Sequence, residues 1–173
     1  AKEEIVIKEK FPIEKVHVLP NCISLDSASL FRREINTNRV LNIVYLGRIA
    51  ESKGINFIFA ACKELNKKGV LFKLIFAGEE EYKNQFIPQF QTTFSNEFVY
   101  KGVVYGEKKE TMLCEADIFL LPSFYEGLPV SLLECMSMGV VPVITNVGSV
   151  DFCVTHMKNG IFIKDHDTSD IVS

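Results

Sequence analysis

Two carboxylates in the last third of the chain, Glu126 and Glu134, lie either side of a Gly-Leu-Pro in the stretch SFYEGLPVSLLECMSMGVVPVI, Ser123 to Ile144. Ionised carboxylates accept hydrogen bonds from the hydroxyls of sugars and similar ligands. Pro129 suits the first turn of a helix, where its missing N–H is not needed. Gly127 permits a tight turn and lets a ligand approach bare amides. Gly127, Leu128, Pro129 and Val130 therefore read as a helix start, with N–H groups to offer from all but the proline. Each acid also has a plain reading, Glu126 as a surface acid and Glu134 as an exposed helix position. For Glu134 taken alone the plain reading is the stronger.

A second turn with chemical content is GRIAESKG, Gly47 to Gly54, in which Arg48 and Lys53 stand either side of the bend. It follows an apolar run and opens a helical pattern. Free amides at a helix start, combined with two cations, make a site for a phosphate or pyrophosphate. Two solvated surface cations are the equal alternative. The turn is neither a P-loop nor a dinucleotide fingerprint, since G-x-x-x-x-G-K-[ST] and G-x-G-x-x-G are both absent. Glu79, Glu80 and Glu81 follow another apolar run and read as a solvated turn.

The elements that must position these turns alternate regularly from Leu41 onward. Apolar runs at Leu41–Gly47, Phe72–Gly78, Phe98–Tyr100, Asp117–Pro122, Val140–Ile144 and Gly160–Ile163 read as strands, the longer ones buried on both faces. Between them, helical spacing runs through Ile55, Ile58, Phe59, Cys62 and Leu65, and ends at Lys67, Lys68 and Gly69. Tyr82, Phe86, Phe90 and Phe94 recur every fourth residue and predict a second helix. Residues 107–115, Pro129–Met138 and Ser149–His156 complete the set. Upstream, Val16–Leu19 reads as a short strand stopped by Pro20, and Ser24–Arg39 as a linker. Alternating strands and helices predict an α/β, doubly wound, Rossmann-like parallel sheet with helices on both faces. Ligands of such folds sit beyond the carboxyl ends of the strands. Residues 1–39 are expected to form an inter-domain hinge and first strand. Residues 40–173 are expected to form the binding domain, cut short at a helix that starts at Thr168 or Ser169.

Composition narrows the classes. With 173 residues the chain is long enough for one domain with a sizeable core. A net charge of -3 argues against a nucleic-acid or anionic-membrane surface. Five dispersed cysteines, Cys22, Cys62, Cys114, Cys135 and Cys153, without a C-x-x-C, read as free thiols in a reducing compartment. No run reaches the ~18 apolar residues of a membrane span.

The stretch from Ser123 to Ile144 strongly resembles the donor-site motif of the retaining group 1 (family 4) glycosyltransferases, close to P-S-x-x-E-G-x-P-x-x-x-x-E-A-M-A-x-G-x-P-V-I. Cys135 and Ser137 stand where that motif has Ala. Further elements match in order. VLPNCI resembles the hinge V-x-P-N-G-V, with Cys22 for Gly; YLGRIAESKGI resembles G-R-x-x-x-x-K-G. FAGEEE resembles A-G-x-G-x, with Glu80 for the second Gly. FVYKGVV resembles V-x-F-x-G-x-V. TNVGSVDFCVTHMKNGIFI resembles the last turn and strand, with departures at Ser149 and Asp151. The resemblance spans about Val16 to Asp167.

This resemblance implies one half of a GT-B fold, the half that binds a nucleotide-sugar donor such as a UDP- or GDP-sugar. By it, Arg48 and Lys53, with Gly47, would hold the diphosphate. Glu126, with the amides of Gly127 and Leu128, would bind the transferred sugar, and Glu134 the ribose hydroxyls. The base would lie near Val103 and Val104. Arg48, Lys53 and Glu126 would carry catalysis, as cations that stabilise the leaving diphosphate and an acid that holds the sugar. No metal and no cofactor beyond the donor is implied. The missing partner is the N-terminal acceptor domain of the same enzyme, so this chain is expected to bind donor weakly at best and to transfer nothing alone. The parent is expected in the cytoplasm, able to sit at the inner membrane face through the half absent here. The alternatives are a GT-B nucleotide-sugar epimerase, which lacks the Gly-Leu-Pro helix start and its paired glutamates in this form, and a non-catalytic relative. A receiver domain fits poorly, because Asp117 begins its strand rather than ending it.

Overall fold

The computed structural model describes residues 12–15, 17, 19–24, 40–164 and 171–172. Six strands form one parallel sheet: β1 Leu41–Leu46, β2 Phe72–Ala77, β3 Phe98–Tyr100, β4 Ile118–Leu121, β5 Val141–Thr145 and β6 Ile161–Ile163. Their order is β3-β2-β1-β4-β5-β6, so the chain winds outward from β1 in one direction and then from β4 in the other. Every neighbouring pair is parallel, with Leu41 opposite Phe72 and Ile43 opposite Ile118.

Four α-helices link them: α1 Ile55–Lys67, α2 Ile87–Thr93, α3 Gly106–Glu115 and α4 Val130–Ser137. Right-handed crossovers put α1 and α2 on one face and α3 and α4 on the other. Side-chain contacts agree. Phe59 of α1 and Phe90 of α2 meet edge-on at 5.0 Å, and Phe90 packs on Phe76 and Phe98 of the same sheet face. Across the sheet, Cys114 of α3 lies beside Met138 at the end of α4. The apolar runs of β1 and β2 are buried on both sides, as strands sandwiched between helix layers must be. Helix α1 ends as its sequence predicts. Gly69 takes φ 71°, and the Val70 N–H returns to the Leu65 carbonyl.

Four local expectations need correction. The aromatic repeat from Tyr82 yields a shorter helix: Tyr82 is exposed, and α2 begins only at Ile87. Pro88 fits the first turn, but in a helix begun at Tyr82 it would remove an interior hydrogen bond and clash with the preceding turn. The acids ahead of α2 are not simply solvated, because the Glu80 carboxylate accepts the N–H groups of Asn84, Phe86 and Ile87 and so caps the helix. Pro129 precedes the first turn of α4 rather than lying in it, with ψ 127°. Residues 149–156 form only a single 3-10 turn, Val150–Phe152. Asn159 draws the following backbone into its own network, accepting the Thr155 N–H and donating to the Cys153 carbonyl. The strand expected at Val16–Leu19 and the C-terminal helix start at Thr168 or Ser169 fall largely outside the described residues; His17 and Leu19 themselves are in no strand.

Candidate functional site

The direction of winding reverses between β1 and β4, which are neighbours in the sheet although far apart in sequence. Their loops depart to opposite faces and leave a crevice at the carboxyl ends, the usual ligand position of a doubly wound sheet. The β1 loop carries Gly47 to Gly54, and the β4 loop carries Pro122 to Pro129. The sheet order thus brings together the two stretches that the sequence singled out.

The loops are locked to each other. The Phe124 N–H donates to the Ser52 carbonyl, and a Cβ on Gly54 would lie 2.0 Å from the Pro122 carbonyl oxygen. At φ 73°, Gly54 also holds the left-handed conformation that begins α1. Lys53 Nζ meets Glu126 Oε1 at 2.8 Å across the crevice, with the side chains 20% and 11% exposed. One of the two predicted cations and the acid expected to face the sugar therefore form a largely buried pair at the switch point. Arg48 is exposed and pairs with Glu81 of the β2 loop at 2.9 Å. Glu81 is thus a partner of the site, and the three-glutamate turn is built around ion pairing and capping.

Beneath the cations lies Tyr45, fully buried in β1, whose hydroxyl donates to the Arg48 carbonyl. Burial pushes this phenol far above its usual range, and the charge of Glu126 adds to the shift. Tyr45 therefore stays protonated and braces the backbone at Arg48. The amides of the turn are less available than expected: those of Gly47, Ile49, Lys53 and Gly54 all donate to carbonyls of the chain. The cationic side chains, rather than this turn's amides, are its offering to an anion.

At α4 the amides of Gly127, Leu128 and Val130 take part in none of the hydrogen bonds among the described residues. Nothing lies within 4 Å of a Cβ built on Gly127. A close backbone approach occurs at Gly148, in the loop after β5, where a Cβ would lie 2.0 Å from the Glu126 carbonyl oxygen. The Ser149 N–H also donates to the Gly127 carbonyl, so this last turn supports the β4 loop from behind. Asn21, from the N-terminal segment, donates its side-chain amide to the Leu128 carbonyl at 2.7 Å.

Glu134 lies on the second turn of α4 and pairs with Lys109 of α3, Nζ to Oε1 at 2.6 Å. Val103 and Val104 precede α3 in the loop after β3, two strands from the switch point; Val103 is exposed and Val104 packs against the core. The structure therefore gathers Lys53, Glu126 and the α4 amides at the crevice, sets Arg48 on its rim, and leaves the valines at the far side. Lys109, Glu81, Tyr45 and Asn21 were missed as site residues. Asn21, Tyr45 and Glu81 belonged to stretches whose motifs were recognised, but the ion pairs of Glu81 and Lys109 join distant elements and leave no short-range pattern. Among the described residues no group of three His, Cys, Asp or Glu is assembled to hold a metal ion. A cavity of about 410 Å³, lined by Met136, Val141 and Met157 among others, opens at the amino ends of β5 and β6, away from the crevice.

Known proteins share this fold. The chain is 27% identical over 173 residues to an uncharacterized glycosyltransferase, MJ1607, of Methanocaldococcus jannaschii, a match covering 94% of this chain and 44% of that protein. The lipopolysaccharide outer core galactosyltransferase WaaB, in its apo form, superimposes with a TM-score of 0.75 at 18% identity, over 99% of this chain and 48% of that one. Anabaena Alr3699/HepE, in complex with UDP and glucose, superimposes with a TM-score of 0.64 at 16% identity, over 77% of this chain and 37% of that one. The chain thus spans less than half the length of each of these proteins, and its fold is the Rossmann-like half of the GT-B glycosyltransferase architecture. Residues 29–173 match the family model of the glycosyl transferases group 1, and the chain belongs to that family.

Proposed function

We propose that this domain holds the nucleotide-sugar donor of a retaining, family 4 glycosyltransferase that moves a hexose-type sugar from a nucleoside diphosphate to a glycan or lipid-linked acceptor. The observation that carries this reading is the Lys53–Glu126 pair at the switch point, which brings a cation for the diphosphate and an acid for the sugar into one crevice. Negative charge grows on the diphosphate as the glycosidic bond breaks. A fixed cation there stabilises the transition state more than the ground state, which is what raises a rate. Arg48 on the rim adds a second charge with a planar fork suited to phosphate oxygens. Glu126 and the unengaged amides of Gly127 and Leu128 take the sugar hydroxyls. Glu134 takes the ribose, and the loop of Val103 and Val104 the base. A UDP-type donor is favoured because a protein of this fold is known with UDP and glucose bound. The acceptor half lies outside this chain, so donor binding without transfer is its expected activity. The free thiols fit a cytoplasmic parent protein.

Calorimetric titration of the chain with UDP, GDP and ADP tests the reading. One nucleotide should bind, and its binding should weaken at least ~10-fold in Glu134→Ala and in Arg48→Ala with Lys53→Ala, since each removes charge-assisted contacts. Binding that survives both variants would sink the site.

A further inference from the structure

A carboxylate that recognises a ribose diol must be ionised and aimed, and α4 supplies little to aim Glu134. Within the helix, Ser137 gives its hydroxyl to the Glu134 backbone carbonyl rather than to the carboxylate. The aim comes from another helix. Lys109 Nζ holds Oε1 at 2.6 Å, and both side chains are three-quarters buried, at 26% and 24% exposure. Both members are thus screened from water, unlike the Arg48–Glu81 pair, where Arg48 is 58% exposed. The bond engages one carboxylate oxygen and leaves Oε2 to accept from a ligand. Lys109 also stands near the start of α3, which begins at Gly106, directly after the loop of Val103 and Val104. One ion pair therefore ties the helix that follows the loop assigned to the base to the acid assigned to the ribose.

We propose that Lys109 is a positioning residue for ribose recognition: it fixes the Glu134 carboxylate with Oε2 open to the diol, and so sets a preference for ribonucleotides over deoxyribonucleotides. This rests on the donor-site reading above. Lys109 touches no donor atom in the proposal and acts only through Glu134.

The test is titration of the chain with UDP, GDP and their 2′-deoxy forms, in the unmutated protein, Lys109→Met and Lys109→Arg, with a thermal melt of each. The unmutated chain should prefer the ribonucleotide by ~10-fold or more, the worth of a hydrogen bond to a charged group. Lys109→Met should still bind through the diphosphate, but with a ribo-to-deoxy ratio near one. Lys109→Arg should keep most of the preference. A residue that merely stabilised the fold would lower both affinities together and leave the ratio alone. A folded Lys109→Met with the full preference therefore overturns the role of Lys109 and leaves the donor site standing. An unmutated chain that binds without preference, or binds no nucleotide, overturns the ribose role of Glu134 and this inference with it. Should Lys109→Met not fold, Lys109→Ala, which likewise has no side-chain donor for Glu134, should give the same ratio.

Discussion

The charges that matter here come as pairs, and their burial ranks them. Lys53 and Glu126 are mostly withdrawn from water, at 20% and 11% exposure, so each depends on the other for compensation. Lys53→Met should cost about 1–3 kcal/mol in urea denaturation, because it strands a carboxylate that has lost most of its hydration. Glu126→Gln should cost less, and the double variant should be more stable than the sum of the two losses predicts, with a coupling of about 1 kcal/mol. Additive losses would show that the pair is not coupled. Arg48 and Glu81, at 58% and 33% exposure, should behave as a surface pair and lose under ~1 kcal/mol on Glu81→Ala. Residue type and spacing singled out Arg48, Lys53 and Glu126 as candidates, whereas Glu134 was singled out only through the resemblance of its whole stretch to the donor-site motif. Their partners Glu81 and Lys109 were not, because an ion pair across 33 or 25 positions of chain follows only from the packing of separate elements.

Loops and helices in this domain are held in place by glycines of two different kinds. Gly54 is a structural necessity, with φ 73° and the Pro122 carbonyl where a Cβ would go. Gly54→Ala should destabilise the fold by at least ~2 kcal/mol, from left-handed strain plus a contact with backbone that cannot yield. Gly127 is open, with nothing within 4 Å of a Cβ. Gly127→Ala should leave the thermal midpoint nearly unchanged and weaken nucleotide-sugar binding, because the methyl enters the space beside the free amides. If instead Gly127→Ala unfolds the chain while Gly54→Ala does not, the loop packing described here is wrong. Strand and helix order could be read from apolar periodicity. Boundaries were misread where one side chain reorganised the backbone, as Glu80 does ahead of α2 and Asn159 does after the Val150–Phe152 turn.

Taken as a body, the domain is a sheet with a phenylalanine-rich layer on the α1 and α2 side, and its buried protic groups make it sensitive to alkali. Burial of Cys62 pushes its thiol from 9.0 to about 12. Below pH 9 the thiol is protonated whether the chain is folded or not. Between pH 9 and 12 the unfolded chain releases this proton and the folded chain keeps it, so stability should fall by ~1.4 kcal/mol per pH unit from this group. The raised phenol of Tyr45 acts in the same direction above pH 10.0, its ordinary value. Denaturation midpoints measured across this range should decline, and Cys62→Ala should flatten the decline; an unaltered slope would remove Cys62 as a cause.

Local pattern was enough for the layer architecture, because a buried parallel strand must be apolar throughout and a covering helix must repeat every three to four residues. It also supplied the residue types of the crevice, since anion and hydroxyl recognition draws on a short list of side chains and on glycine-rich helix starts. Which turns face each other is a different matter. The meeting of Lys53 with Glu126 depends on β1 and β4 being neighbours, and the meeting of Lys109 with Glu134 on α3 and α4 sharing a face. Neither adjacency is written in any short stretch of chain. Both arise when the sheet reverses its winding, because only the assembled sheet decides which loops share an edge.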